Sequence, residues 1–218
     1  MLHINLRIAT CAAAIILISP SSAVLAQNEA AQPGISIKGD PVAGKEKSQL
    51  CQGCHGVDGN SLSTLVPKLA GQDGDYLAKE VHNFQSGARR HRIMDDLSIT
   101  VSDNDILDIA AYFSSQSTMK GNGSPTTGGI GMELFRNGDK SRNIEACTKC
   151  HGPEGKGLKP NPLMAPVIGG QNKDYLLKQL NNFRKGDRTN SPANVMHSLT
   201  QSLNDTELES LSEYISGL

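Results

Sequence analysis

Two five-residue runs carry the chemistry of this 218-residue sequence: Cys51-Gln-Gly-Cys54-His55 and Cys147-Thr-Lys-Cys150-His151, each followed by glycine. Two intervening residues put both sulfurs on one side of a single turn, where they can add to the two vinyl groups of one porphyrin. The adjacent histidine then points its imidazole at the iron from the same side, as a proximal ligand does. The pattern implies two covalently bound haem c groups, attached through Cys51 and Cys54 and through Cys147 and Cys150, with His55 and His151 at the irons. Four cysteines could instead bind one zinc ion or form two thiol–disulfide couples. Zinc leaves the histidine after both pairs unexplained, and a redox couple ordinarily comes with βαβ patterning that is missing here.

The two runs belong to a longer repeat. Cys147 follows Cys51 by 96 residues; Pro67 to Gln72 matches Pro166 to Gln171, and Tyr76 and Phe84 match Tyr175 and Phe183, at 99; Met94, Leu97 and Tyr112 match Met196, Leu199 and Tyr214 at 102. A collinear match with small drifts means tandem domains rather than a stacked array. A haem held by histidine on one face needs its other face assigned, and the two methionines in register, Met94 and Met196, are the candidates for the second axial ligands. Met119, Met132 and Met164 have no equivalents and read as core filling or surface scatter. His91 and His197 lie close to the candidate methionines and could replace them as ligands, giving lower-potential bis-His haems, but they are out of register with each other. Pro67 and Pro166 follow their histidines by 12 and 15 residues, close enough for a backbone carbonyl to accept the imidazole Nδ1 proton and fix the ring.

Positioning these groups calls for helices. Ser102-x-x-Asp105 and Asn204-x-x-Glu207 read as helix starts, and Ile106, Ile109, Ala110 and Phe113, like Leu208, Leu211 and Ile215, recur at helical spacing. A helix from near Asp73 to Gly87 and its copy from near Asn172 to Gly186 come earlier. A third precedes each cysteine pair, over about Pro41 to Leu50 and Gly131 to Arg136. No segment alternates as a strand does, so the fold class is all-α. Met94 and Met196 fall in the stretch between the second and the last helix of each copy, which reads as a loop that can lie across the far face of the site.

With no tryptophan and 4% aromatics, the cores are short of large apolar side chains, so something besides side chains is expected to fill them. The formal charge of −1, from 21 basic and 22 acidic residues mixed along the chain, gives no basic stripe for nucleic acid. The N-terminus has the layout of a secretory signal peptide over 1–26: one arginine at Arg7, an apolar run to Ile18 broken at Pro20, and small residues ending at Ala26. Cys11 would leave with it. Residues 27–37 form a short segment, the domains span 38–118 and 130–218, and 119–129 is the linker, within the Gly/Ser/Thr-rich stretch Ser117 to Gly129. Such a tether spans roughly 20 Å, so even a weak mutual interface is expected to keep the domains docked.

Cys51 to His55, Pro67 to Gln72, Tyr76 to Phe84, Gly87-Ala-Arg89, Met94 and the Ser102 to Phe113 helix resemble the first half of the cytochrome c4 family, the dihaem class I c-type cytochromes. Cys147 to Gly152, Ala165 to Gln171, Gly186-Asp-Arg188, Met196 and Tyr214 to Leu218 resemble its second half. The resemblance implies two cytochrome c-like domains, each wrapped around one haem with His/Met ligation. It further implies a periplasmic, sometimes membrane-associated carrier passing electrons toward a terminal oxidase. One departure is local: Gly186 to Met196 is three residues longer than Gly87 to Met94. The alternatives are a haem-bearing subunit of a dehydrogenase, such as a sulfide-oxidising flavoprotein, and a dihaem peroxidase. Peroxidase chemistry needs an open iron, against which the paired methionines argue.

Overall fold

The computed structural model describes residues 39–121, 123 and 128–218; the expected signal peptide and the segment after it lie outside the described residues, as do Asn122 and residues 124–127 of the expected linker. The first half contains α1 (Pro41–Lys47), α2 (Gln49–His55), α3 (Gly74–Ser86), α4 (Arg92–Ser98) and α5 (Asp103–Ser114). The second contains α6 (Ile130–Asn137), α7 (Thr148–His151), α8 (Lys173–Lys185), α9 (Val195–Thr200) and α10 (Asp205–Gly217). Among the described residues there is no strand, only an isolated antiparallel bridge between Asp139 and Ile144.

Local chemistry accounts for several helix ends. Asp73 accepts a hydrogen bond from the Tyr76 N–H at the start of α3, and Ser102 accepts from the Asp105 N–H at the start of α5. Asn204 and Glu207 form a reciprocal capping box on α10. Each such cap contributes about 1 kcal/mol by satisfying donors that the first turn leaves unpaired. Gly87 and Gly186 stop α3 and α8 in the left-handed conformation, at φ of 76° and 79°.

Two features depart from the sequence reading. The helix expected over Pro41 to Leu50 breaks at Ser48. The fully buried Ser48 hydroxyl donates back to the Lys45 carbonyl (3.0 Å) and accepts from the Gln52 amide (2.8 Å), an arrangement that competes with helical continuation. The two methionines lie in short helices, α4 and α9, where a loop was expected. At seven and six residues, these are too short to show a hydrophobic period.

The halves share one crossing. α1 packs on α5 and α6 on α10, and each pair meets at a glycine. A Cβ on Gly44 would lie 1.9 Å from the Asp108 carbonyl oxygen, and one on Gly131 would lie 2.1 Å from that of Ser210. Cys51 follows Gly44 by seven residues, but Cys147 follows Gly131 by sixteen. The added chain forms a 3₁₀ turn at Lys140–Arg142 beside the Asp139–Ile144 bridge.

Each half has its own apolar cluster. Leu77, Ala78, Ile106, Ile109, Ala110, Tyr112 and Phe113 form the first, and Cys51 packs against it. The second contains Leu134, Phe135, Leu176, Leu208, Leu211, Tyr214 and Ile215 among its members, with Cys147 against it. The crossing helices bring both cysteine-bearing segments onto these clusters, so crowding the crossing should loosen the site. Gly44→Ala and Gly131→Ala are each expected to destabilise their own half by about 1–3 kcal/mol, read as a lowered thermal midpoint by circular dichroism.

Candidate functional site

His55 closes α2 and His151 closes α7, and both are buried, at 8% and 7% exposed. The Nδ1 atom of His55 lies 2.9 Å from the Pro67 carbonyl oxygen, and that of His151 lies 2.8 Å from the Pro166 carbonyl oxygen. A carbonyl can only accept, so Nδ1 carries the proton and Nε2 presents a lone pair. Burial holds both imidazoles below the usual histidine range and neutral, against the opposing pull of the carbonyls. A neutral imidazole with its proton fixed at the far nitrogen is the form that ligates iron.

Cys51, Cys54, Cys147 and Cys150 form no disulfide with one another, and Cys54 is exposed. Burial raises the Cys51 thiol and pushes that of Cys147 up to about 12. A thiol–disulfide couple of the usual kind needs a lowered thiol pKa, so this chemistry speaks against the redox-couple reading. Buried imidazoles that present Nε2, each with one cysteine a turn before it and a second cysteine adjacent to it, fit a c-type haem in each half.

Met94 lies in the first turn of α4 and Met196 in the first turn of α9, both half-buried. His91 is exposed at the head of α4, while His197 is tied through Nδ1 to the Phe183 carbonyl (2.7 Å). The longer second loop takes up its extra residues in a 3₁₀ turn at Pro192–Asn194, where Ala193 and Asn194 are both left-handed at φ of 49° and 54°. Asn194 also buries an Oδ1 that has no hydrogen-bond partner. Non-glycine residues in this region carry strain, and here it sits at the head of α9, the helix that carries Met196.

The halves meet through contacts that occur twice. The Gln72 side chain accepts from the Val167 N–H (2.7 Å) and donates to the Val167 carbonyl (2.8 Å); Gln171 does the same with Lys68 (2.8 and 2.9 Å). Arg89 donates to Glu80 of its own half (2.6 Å) and crosses to the Tyr175 hydroxyl (2.9 Å) and Gln179 (3.0 Å). Arg188 donates to Gln179 of its own half (2.9 Å) and crosses to the Tyr76 hydroxyl (3.1 Å) and Glu80 (3.0 Å). Each guanidinium folds back over the phenylalanine of its own half, 4.7 Å from Phe84 and 4.5 Å from Phe183. One exchange is asymmetric: Asn172 spends its side chain on the Ser63 and Val66 carbonyls, and the α8 N–H of Tyr175 bonds the Thr64 carbonyl instead.

The chain joining the halves is held where it leaves the first. Met119 is 1% exposed, and its N–H bonds the Ala70 carbonyl (3.1 Å). The Lys68 ammonium donates to the Lys120 and Gly170 carbonyls (2.9 Å each), and the Lys156 ammonium to those of Met119 (3.0 Å) and Gly169 (2.9 Å). Sequence reasoning missed the two lysines, because a hydrogen bond to a backbone carbonyl leaves no side-chain signal in the sequence. Glu80 was missed because its counterpart is Gln179.

Two helical domains of one plan, each presenting a cysteine pair and a carbonyl-locked histidine, define a dihaem c-type cytochrome of class I. Comparison with known proteins agrees. The cytochrome c family model matches residues 131–218. Cytochrome c4 of Pseudomonas aeruginosa is 41% identical over 181 residues, which is 83% of this chain and 89% of that protein. The crystal structure of reduced recombinant cytochrome c4 from Pseudomonas stutzeri matches with a TM-score of 0.77 at 40% identity, covering 83% of this chain and 99% of that one. A thiosulfate dehydrogenase electron acceptor from Stutzerimonas stutzeri is 32% identical and covers 78% of this chain and 80% of its own. The chain belongs to the cytochrome c4 family: it is an electron carrier with two covalently bound haems, not an enzyme.

The strained turn before Met196 yields a direct test. Ala193→Gly removes the left-handed penalty at that position, and after the greater freedom glycine gives the unfolded chain it should stabilise the second half by about 0.5–1 kcal/mol. The expected readout is a small rise in the thermal midpoint.

Proposed function

We propose that His55 and Met94 hold the iron of the first haem and His151 and Met196 that of the second, and that the protein carries electrons in the periplasm toward a terminal oxidase. The observation that carries the ligand assignment is the pairing in each half of a buried histidine, its Nδ1 committed to a proline carbonyl, with a methionine in the first turn of a short helix at the same place in the repeat. Haem supplies an iron that cycles between ferric and ferrous.

The chain's residues do the rest. The proline carbonyls hold each imidazole in one orientation and one tautomer, so the ligand does not rearrange when charge changes. A thioether ligand raises the potential, which suits delivery to the oxidising end of a respiratory chain. The bonded boundary between the halves supports transfer between two centres within one molecule. Among the described residues no helix is long and apolar enough to cross a membrane. The leader read at 1–26 supports export, and the relative that serves a thiosulfate dehydrogenase supports a dehydrogenase as one class of donor.

The test is spectroscopic. The purified protein should retain two haems per chain through denaturation and acid–organic extraction, and both ferric irons should show the weak near-infrared sulfur-to-iron band. Met94→Ala and Met196→Ala should each remove one contribution to that band and lower one midpoint potential. An unchanged band in either variant would show that a different group binds that iron.

A further inference from the structure

Arg89, Glu80, Arg188 and Gln179 close a ring across the boundary in which each arginine donates to both acceptors. Every member has its counterpart 99 residues away, but one acceptor is a carboxylate and the other an amide. The ring is out of solvent: Glu80 is 5% and Arg188 7% exposed. Asn190 adds hydrogen bonds to both carboxylate oxygens (3.0 and 2.9 Å), and Lys79 adds one at 2.8 Å. Burial alone would raise the Glu80 carboxyl, but the Arg188 and Arg89 charges, with Lys79, outweigh it and hold the group at about 2. It is therefore an anion at any pH the protein meets.

Buried charges act through a low effective dielectric and are little screened by salt. Arg89 and Arg188 are counterparts, as are Lys79 and Lys178, so their fields fall alike on equivalent points of the two halves. Lys68 and Lys156 come one from each half and converge on the same connecting segment. Arg90 and Asp187, which also lack charged counterparts, are exposed and screened. Glu80 is a buried charge held within the ring with no counterpart, and it stands on α3, whose apolar face packs into the cluster that Cys51 joins.

We propose that Glu80 sets the two haem sites apart: its carboxylate stabilises the ferric state at the His55 site more than at the His151 site, so a single electron on the molecule rests preferentially in the second half. This rests on the two-haem His/Met reading above. Glu80 touches neither iron ligand and acts through its field, so the role is one of tuning and direction.

The experiment uses the full-length protein with both haems in place. Spectroelectrochemical titration gives the two midpoints, and paramagnetically shifted NMR resonances assign them to sites and report the one-electron distribution. Glu80→Gln keeps an acceptor for both arginines and removes the charge. It should raise the first site's midpoint more than the second's and shift the electron toward the first half by on the order of threefold. The exchange Glu80→Gln/Gln179→Glu restores one carboxylate to the ring from the opposite side and should shift it further the same way. Small-angle scattering checks that the halves stay docked; if Glu80→Gln alone separates them, the exchange variant, which keeps a carboxylate between the arginines, decides. A distribution unmoved in the exchange variant, or moved toward the second half, overturns the role of Glu80 while two haems with normal Met bands leave the ligand reading intact. Fewer than two haems, or absent Met bands in the unaltered protein, would overturn both.

Discussion

One hydrogen bond in each half, from a histidine Nδ1 to a proline carbonyl, governs how the rest of the structure is used. It decides which nitrogen of the ring is left with a lone pair, and burial keeps the ring from acquiring a second proton. To make that bond, the chain must bring the end of a cysteine-bearing helix against a loop 12 or 15 residues further on. The glycine crossings serve the same end: by letting α1 approach α5, and α6 approach α10, to backbone contact, they press the cysteine-bearing segments onto their clusters.

The boundary between the halves follows a second constraint. Buried polar groups must find partners, and here Gln72, Gln171, Arg89 and Arg188 find them across the boundary in reciprocal exchanges. Gln72 and Gln171 each satisfy both backbone groups of a residue opposite, much as a strand pair would. The arginines stack on the phenylalanines of their own halves and reach over to the other half's tyrosine. Bonds of this kind need specific geometry, so they fix an orientation and do not merely hold two surfaces together.

Much of this was legible in the residues. The cysteine–histidine runs state the chemistry in five positions, the longer helices announce themselves by caps at Asp73, Ser102 and Asn204, and the repeat singles out Met94 and Met196. The Pro67 and Pro166 carbonyls could be named from spacing alone. What could not be read depends on long-range placement. The short helices bearing the methionines are below the length at which a period shows, and the Ser48 break comes from a side chain's choice of carbonyl. The residues Ser117 to Gly121 look like free tether by composition, but the Met119 and Lys120 carbonyls are claimed by a lysine from each half, and the Met119 sulfur by Gln171. The arginine ring was visible as a recurring Arg in register, yet only the fold shows that Arg89 and Arg188 face one another's helices.

The twice-made contacts give the boundary the logic of an isologous dimer, in which one patch meets a copy of itself. Two identical chains meeting in this way would be bound by their symmetry: an acid in the ring would face its own duplicate, and an amide likewise. Joining the copies on one polypeptide lifts that bond. Position 80 and position 179 became separate letters, free to be spelled differently, and one of them now holds a carboxylate where its twin holds an amide. A molecule built of two like halves thereby acquires a front and a back.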